Sequence, residues 1–198
     1  VTMDAFNKYK KEFTNKNTNN NSNNKGSMDD EYNLYQKDFK YGTYRILKPG
    51  IYNIMEDIIY DFNPGLDMNH PNSEYDDSWW PNSNQSDIYP GAYDTRDEYF
   101  MGFWSGISIE IDNVTLNLNG YELKMSKAFY YQQRFFANIA LKSFVFSLNQ
   151  GPGIFGANPK FPNNIVIKNG IVGLSSHHGI HGQGNRGVTL ENLHVRHF

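Results

Sequence analysis

The 198 residues contain no cysteine. That excludes a disulfide framework, thiolate metal sites and a cysteine nucleophile, and it leaves the compartment open. No run of about 18 apolar residues occurs, so no membrane-spanning helix is expected. Charge of one sign is also lacking. A formal net charge of −3 supplies no basic field for nucleic acid. The lysine- and asparagine-rich start has no apolar core of the kind a secretory signal needs. The chain opens on Val1 and stops at Phe198 within a strand-like pattern, so it reads as a piece of something longer.

Polar and aromatic residues dominate the first part of the chain. "TNKNTNNNSNNKGS" at 14–27 has almost nothing apolar to offset the cost of ordering it. Residues 1–40 are therefore expected to form a flexible Asn-rich arm or linker. Its flanks, "MDAFNKYKKEF" and "DEYNLYQKDF", carry aromatics that allow short helices or docking arms. From Tyr41 the texture changes, and residues 41–198 read as the folded domain. "GTYRILKPGIYNIMEDIIYDFNPG" predicts three short strands punctuated by Pro49-Gly50 and Pro64-Gly65. Residues 66–105 hold eight acids against the single basic Arg96, and nine aromatics including Trp79, Trp80 and Trp104. A stretch this long and this rich in tryptophan predicts an ordered insertion.

After Ser105 a repeat decides the expected fold. "GISIEIDNVTLNLNG", "GIFGANPKFPNNIVIKNG" and "GIHGQGNRGVTLENL" each begin Gly-Ile and lead into a β-branched alternating strand. Val114-Leu116, Ile165-Ile167 and Val188-Leu190 are the expected inward pairs, followed by Asn119, Asn169 and Asn192. The last two strands lie 23 residues apart and the first two 51, the latter leaving room for an extra strand and an insertion. Within 126–144 a short helix followed by a strand is expected. Short strands at a period in the low twenties, without intervening helices, predict an all-β, right-handed parallel β-helix solenoid. Asparagines stacked at one turn would form a hydrogen-bonded ladder.

"NVTLNLNGYEL", "YYQQRFFANIAL" and "NIVIKNGIVGLSSHHGIHGQGNRGVTLENLHV" resemble pectin-lyase-like parallel β-helix repeat proteins, over roughly residues 41–198. "PGIYNIMEDIIYDFNP" resembles the capping segment of such domains. The nearest likeness is to uncharacterised members from bacteria, algae and large DNA viruses. The resemblance implies the solenoid, and its functions range over lyases, hydrolases, adhesins and virion spikes. Trimers are common among viral proteins of this kind. The enzymes of the class use calcium-bound acids with an Arg or Lys base, or clustered aspartates. Their Gly-His-Gly and Arg-x-Lys patterns do not occur here, since "GIHG" differs and Arg196 precedes His197.

"SSHHGIHGQGNRG" at 175–187 concentrates three histidines and four glycines. Imidazoles at this density suit a ligand contact or a transition metal. The first reading is a corner, a strand and a second corner. His177 and His178 then sit in the turn, and His181 alone sits on a strand's outer face. No carboxylate nearby completes a metal set, so no metal site is expected there. From Gly106 on the acids are Glu110, Asp112, Glu122 and Glu191, with Asp112 expected as a turn residue. In the insertion, carboxylates are able to hold calcium, while Trp79, Trp80 and Trp104 suit sugar stacking or pinning of the loop. No other cofactor is expected. The candidate ligand contacts are therefore His181, His178, Trp79, Trp80 and Trp104. The expected function is a non-catalytic structural or surface module, such as a virion component. It would bind structural proteins, further copies of itself or a glycan. The alternative is a polysaccharide lyase or glycoside hydrolase whose active face starts near His181 and continues beyond Phe198.

Overall fold

The computed structural model describes residues 26–40, 43–61, 104–131, 136–141 and 161–197. Strand dominates them. β1 is Glu31–Leu34, β2 Tyr44–Ile46, β3 Gly50–Ile54, β4 Ile58–Tyr60 and β5 Trp104–Ile109. β6 is Val114–Asn117, β7 Glu122–Met125 and β8 Phe136–Leu141. β9 is Ile165–Val172, β10 His178–Gly182 and β11 Val188–Val195. A 3-10 turn at Gln36–Phe39 and one helical turn, α1 (Lys127–Tyr130), complete the set. The expected three strands in 43–61 and the helix followed by a strand after Ser126 are all present.

Among the described residues every strand pairing is parallel. Parallel neighbours cannot be joined by a tight hairpin, so the chain must leave a sheet and return. It does so by alternating between two sheets. One is ordered β1-β3-β6-β9-β7-β4 with β11 on β9, and the other is ordered β10-β8-β5-β2. The long β9 pairs with β6 through Ile165–Lys168 and with β7 through Ile171 and Val172. Between those halves Asn169 takes a positive φ of 58°, and Asn192 does the same in β11 at 49°. Asparagine tolerates this left-handed conformation better than other side chains, so it marks where the strand bends.

The expected offsets are those of the pairing. Val114 lies opposite Ile165 and Ile165 opposite Val188, spacings of 51 and 23 residues. An asparagine ladder runs along the bend, but not through the residue expected in its first rung. Asn192 donates to Asn169, Asn169 to Asn117, and Asn117 to Asn53, at 3.1–3.2 Å. Asn119 is a side branch. It accepts from Asn117 and donates to the Ile54 carbonyl. Two extra residues between β6 and β7 displace it from the rung, because Val114 and Glu122 are eight apart where Ile165 and Ile171 are six apart.

The core is the space between the sheets, filled by Ile46, Ile54, Ile58, Ile107, Ile109, Leu116, Leu123, Ile139, Ile165 and Ile167, all fully buried. Burying each aliphatic side chain contributes about 1.5–3 kcal/mol. Tyr60 also lies fully inside. Its hydroxyl donates to Asn138 Oδ1 at 2.7 Å, and Asn138 Nδ2 donates to the Gly173 carbonyl at 2.9 Å. Burial pushes the Tyr60 phenol well above its ordinary value, so it remains a neutral donor. β1, inside the segment expected as an arm, pairs with β3, and Leu34 and Phe39 are buried in the core. Gln36 fastens this segment by bonding both backbone groups of Ile59.

Two expectations are corrected here. The Gly-Ile repeat does not align as 106, 153 and 179. The pairing sets Gly106-Ile107 beside Asn138-Ile139 and then Gly179-Ile180, while Gly153-Ile154 lies outside the described residues. Val188 and Leu190 match the inward pairs in register, yet they are 38% and 54% exposed. Their counterparts are buried because another strand lies beyond them, whereas β11 pairs only with β9 among the described residues.

Candidate functional site

The histidines sit on β10, whose local geometry follows from what lies beneath it. A side chain at Gly106 would bring its Cβ within 2.7 Å of the Tyr60 ring, and one at Gly179 within 2.5 Å of Val195 Cγ1. Both glycines therefore face the interior, as does Asn138 between them. The next residues, Ile107, Ile139 and Ile180, also pack against the core. Two successive inward positions break the simple alternation of a strand, so positions three apart come to the same face, away from the central core. Ala137 and Ala140 show it on β8, forming a small buried cluster of their own. His178 and His181 are paired with those alanines and show it on β10.

The result is a cluster of three imidazoles. The His178 and His181 ring centroids are 5.0 Å apart, and the His177 and His178 centroids 4.2 Å apart, edge to face. His177 is exposed and the other two are half-buried. The expectation that only His181 faces outward is therefore corrected. His178 belongs to the strand and shares the face, because the Gly179-Ile180 kink turns it there. Among the described residues, no three His, Asp or Glu side chains are arranged to hold a metal ion.

Two of the acids from Gly106 on, Glu110 and Glu122, hold separate segments together. Buried Glu110 receives Arg45 in a two-pronged contact, Nε to Oε1 at 2.7 Å and Nη2 to Oε2 at 2.6 Å. Ser108 Oγ donates to the same carboxylate. This geometry gives a strong, directional pair between β2 and the end of β5. Glu122 accepts from Lys124 and from Arg196, which follows β11. Burial alone would raise the Glu122 pKa, but the Lys124 and Arg196 bonds outweigh it and hold the group below its ordinary value. Asp112 Oδ1 accepts the Asn163 amide at 2.7 Å, the turn role expected of it. Glu191 is exposed on β11, in register with Lys168.

Of the aromatic candidates, Trp104 is in β5, in register with Phe136. Trp104 and Ser105 thus belong to a strand and not to the insertion expected at 66–105. Trp79 and Trp80 lie outside the described residues, as do the insertion's acids and the calcium expectation attached to them.

A feature that the sequence reading missed lies beside β10. A shallow depression of about 280 Å³ is lined by Leu141, Ile180, Val188 and Leu190 with Gly182 and Asn185. Asn185 donates to the carbonyls of Leu141 and Pro162, tying the end of β8 to the turn before β9. Its Oδ1 is buried and accepts no hydrogen bond among the described residues. Comparison with protein families, with curated proteins and with solved structures finds no match for the chain.

Proposed function

We propose that the chain is a non-catalytic structural module, a right-handed parallel β-helix, that binds a partner protein or a glycan in a surface assembly such as a virion. Alternation between sheets, exclusively parallel pairing and asparagines at the bends all support the coil. Its handedness follows from the strong bias of parallel crossovers. No membrane-spanning helix competes with this reading, because none of the described helices is long and apolar enough.

The observation that carries the reading is that, among the described acids from Gly106 on, Glu110, Glu122 and Asp112 are engaged in structural contacts and only Glu191 is not. Acid–base chemistry on a polysaccharide needs a carboxylate, or a base, able to reach the sugar and exchange a proton. Here Glu110 is buried under Arg45, Glu122 is held by two cations, and Asp112 is fixed in a turn. Within the imidazole cluster His177 is exposed and is the group best placed to touch a ligand, while His181 Nδ1 is buried. The test is incubation of the purified chain with polygalacturonate and a panel of glycans, beside a His181→Ala control. The proposal predicts no chain cleavage by either protein. Cleavage that His181→Ala abolishes would establish an enzyme instead.

A further inference from the structure

We propose that Asn119 is a site of spontaneous deamidation in the folded chain, and that the second Asn-Gly step, at Asn169, is shielded from the same chemistry by the fold.

The sequence holds two Asn-Gly steps, Asn119-Gly120 and Asn169-Gly170. In such a step the backbone nitrogen of the glycine attacks the asparagine Cγ. The N–Cγ bond forms, the Cγ–Nδ2 bond breaks, and the amide proton leaves with Nδ2 as ammonia. Water then opens the cyclic succinimide at either carbonyl, giving aspartate or isoaspartate. Water enters and ammonia leaves, so the reaction needs no oxidant, reductant or enzyme. Glycine favours it because the backbone turns freely without a Cβ. The reaction proceeds where that backbone can swing and stops where it is held.

Asn169-Gly170 is held within the stack. Asn169 Oδ1 accepts from Asn192, and its Nδ2 donates to Asn117. Gly170 lies inside β9, in register with Leu193. A Cβ there would stand 2.4 Å from Leu118 Cβ and 2.7 Å from the Tyr121 carbonyl oxygen, which leaves this backbone no room to turn.

Asn119-Gly120 differs in three respects. Both residues are exposed and form the turn between β6 and β7, outside any strand. No atom among the described residues lies within 4 Å of the Cβ position at Gly120. Asn117 Nδ2 donates to Asn119 Oδ1 at 2.7 Å, where negative charge develops as the nitrogen adds to Cγ. Resistance comes from Gly120 N–H, which donates to the Asn169 carbonyl at 2.7 Å, and from Asn119 Nδ2, which donates to the Ile54 carbonyl at 3.1 Å. These bonds belong to a surface turn, which opens locally without unfolding the stack.

The product alters the coil at a defined place. Aspartate at 119 loses the donor to the Ile54 carbonyl and sets a carboxylate against it. Isoaspartate also lengthens the main chain by a methylene, in the turn that already holds two extra residues.

The experiment incubates the full chain in mildly alkaline buffer at body temperature, folded and in urea. Peptide mass spectrometry follows conversion at both positions, and protein isoaspartyl methyltransferase labels the isoaspartate. In the folded chain Asn119 should convert about tenfold faster than Asn169 or more, with the label confined to the peptide that contains it. In urea the two rates should converge, because the same dipeptide then reacts at both positions. Absence of conversion at Asn119 in the folded chain overturns the proposal, and so does conversion of Asn169 at an equal rate. A difference that persists undiminished in urea also overturns it, by assigning the contrast to sequence neighbours instead of the fold.

Discussion

Asn169 combines two roles, and substitutions separate them. Its φ is 58°, in the left-handed region, and it links Asn117 on one side to Asn192 on the other by bonds of 3.2 Å. Alanine at this φ costs about 1–2 kcal/mol of backbone strain. Two neutral hydrogen bonds at the long end of the normal range add about 0.5–1 kcal/mol each. Asn169→Ala should therefore lose about 2–4 kcal/mol. Asn169→Gly relieves the backbone and loses only the bonds, about 1–2 kcal/mol. Urea unfolding followed by circular dichroism measures both. In a domain of this size the alanine loss lowers the melting temperature by roughly 4–16 °C. An alanine variant within 0.5 kcal/mol of wild type would refute the ladder argument, and so would a glycine variant less stable than the alanine one.

Gly106→Ala forces a methyl to 2.7 Å from the Tyr60 ring and 3.0 Å from the Asn138 carbonyl. Overpacking should cost about 1–3 kcal/mol by chemical denaturation; a neutral result would contradict the inward placement of the Gly106 column. Glu122 has its pKa depressed in the folded chain, so its contribution is full above the ordinary carboxylate value of 4.5 and fades as pH falls through the lowered one. Stability of wild type and Glu122→Gln, measured from pH 7 down to pH 3, should differ most at the upper end and converge at the lower. A gap that stays constant or widens with acid would reverse the assignment. Leu190→Lys, at a side chain 54% exposed, should leave stability within about 0.5 kcal/mol. A larger loss would mean that Leu190 is covered.

The strands themselves were legible because their chemistry is local. Val114-Leu116, Ile165-Ile167 and Val188-Leu190 alternate with polar residues, and the asparagines after them sit where the backbone turns left-handed. Parallel pairing at 23 and 51 residues followed from that pattern. What failed was whatever depends on neighbours. Asn138 breaks the Gly-Ile column because Tyr60 on another strand needs an acceptor there, and nothing adjacent in sequence reveals it. His178 was assigned to a turn on the assumption of regular alternation, which the two inward residues at Gly179 and Ile180 suspend. Val188 and Leu190 carry the correct pattern for burial, but burial is decided by the strand laid beside them. Asn185 was overlooked because its bonds to Leu141 and Pro162 span 44 and 23 residues.

Stacking in a fixed register is the claim on which the ladder and the imidazole face both depend. The cysteine-free chain makes it directly measurable. Val166 and Thr189 are in register across β9 and β11. Adjacent strands lie about 4.8 Å apart, within the Cα range that a disulfide bridges. The double variant Val166→Cys with Thr189→Cys should oxidise to a single intramolecular disulfide, identified by mass spectrometry after proteolysis. Closing a loop of this length should raise stability by about 3 kcal/mol. A pair that stays reduced would contradict the account, as would equally fast crosslinking of Val166→Cys with Leu190→Cys, one residue out of register.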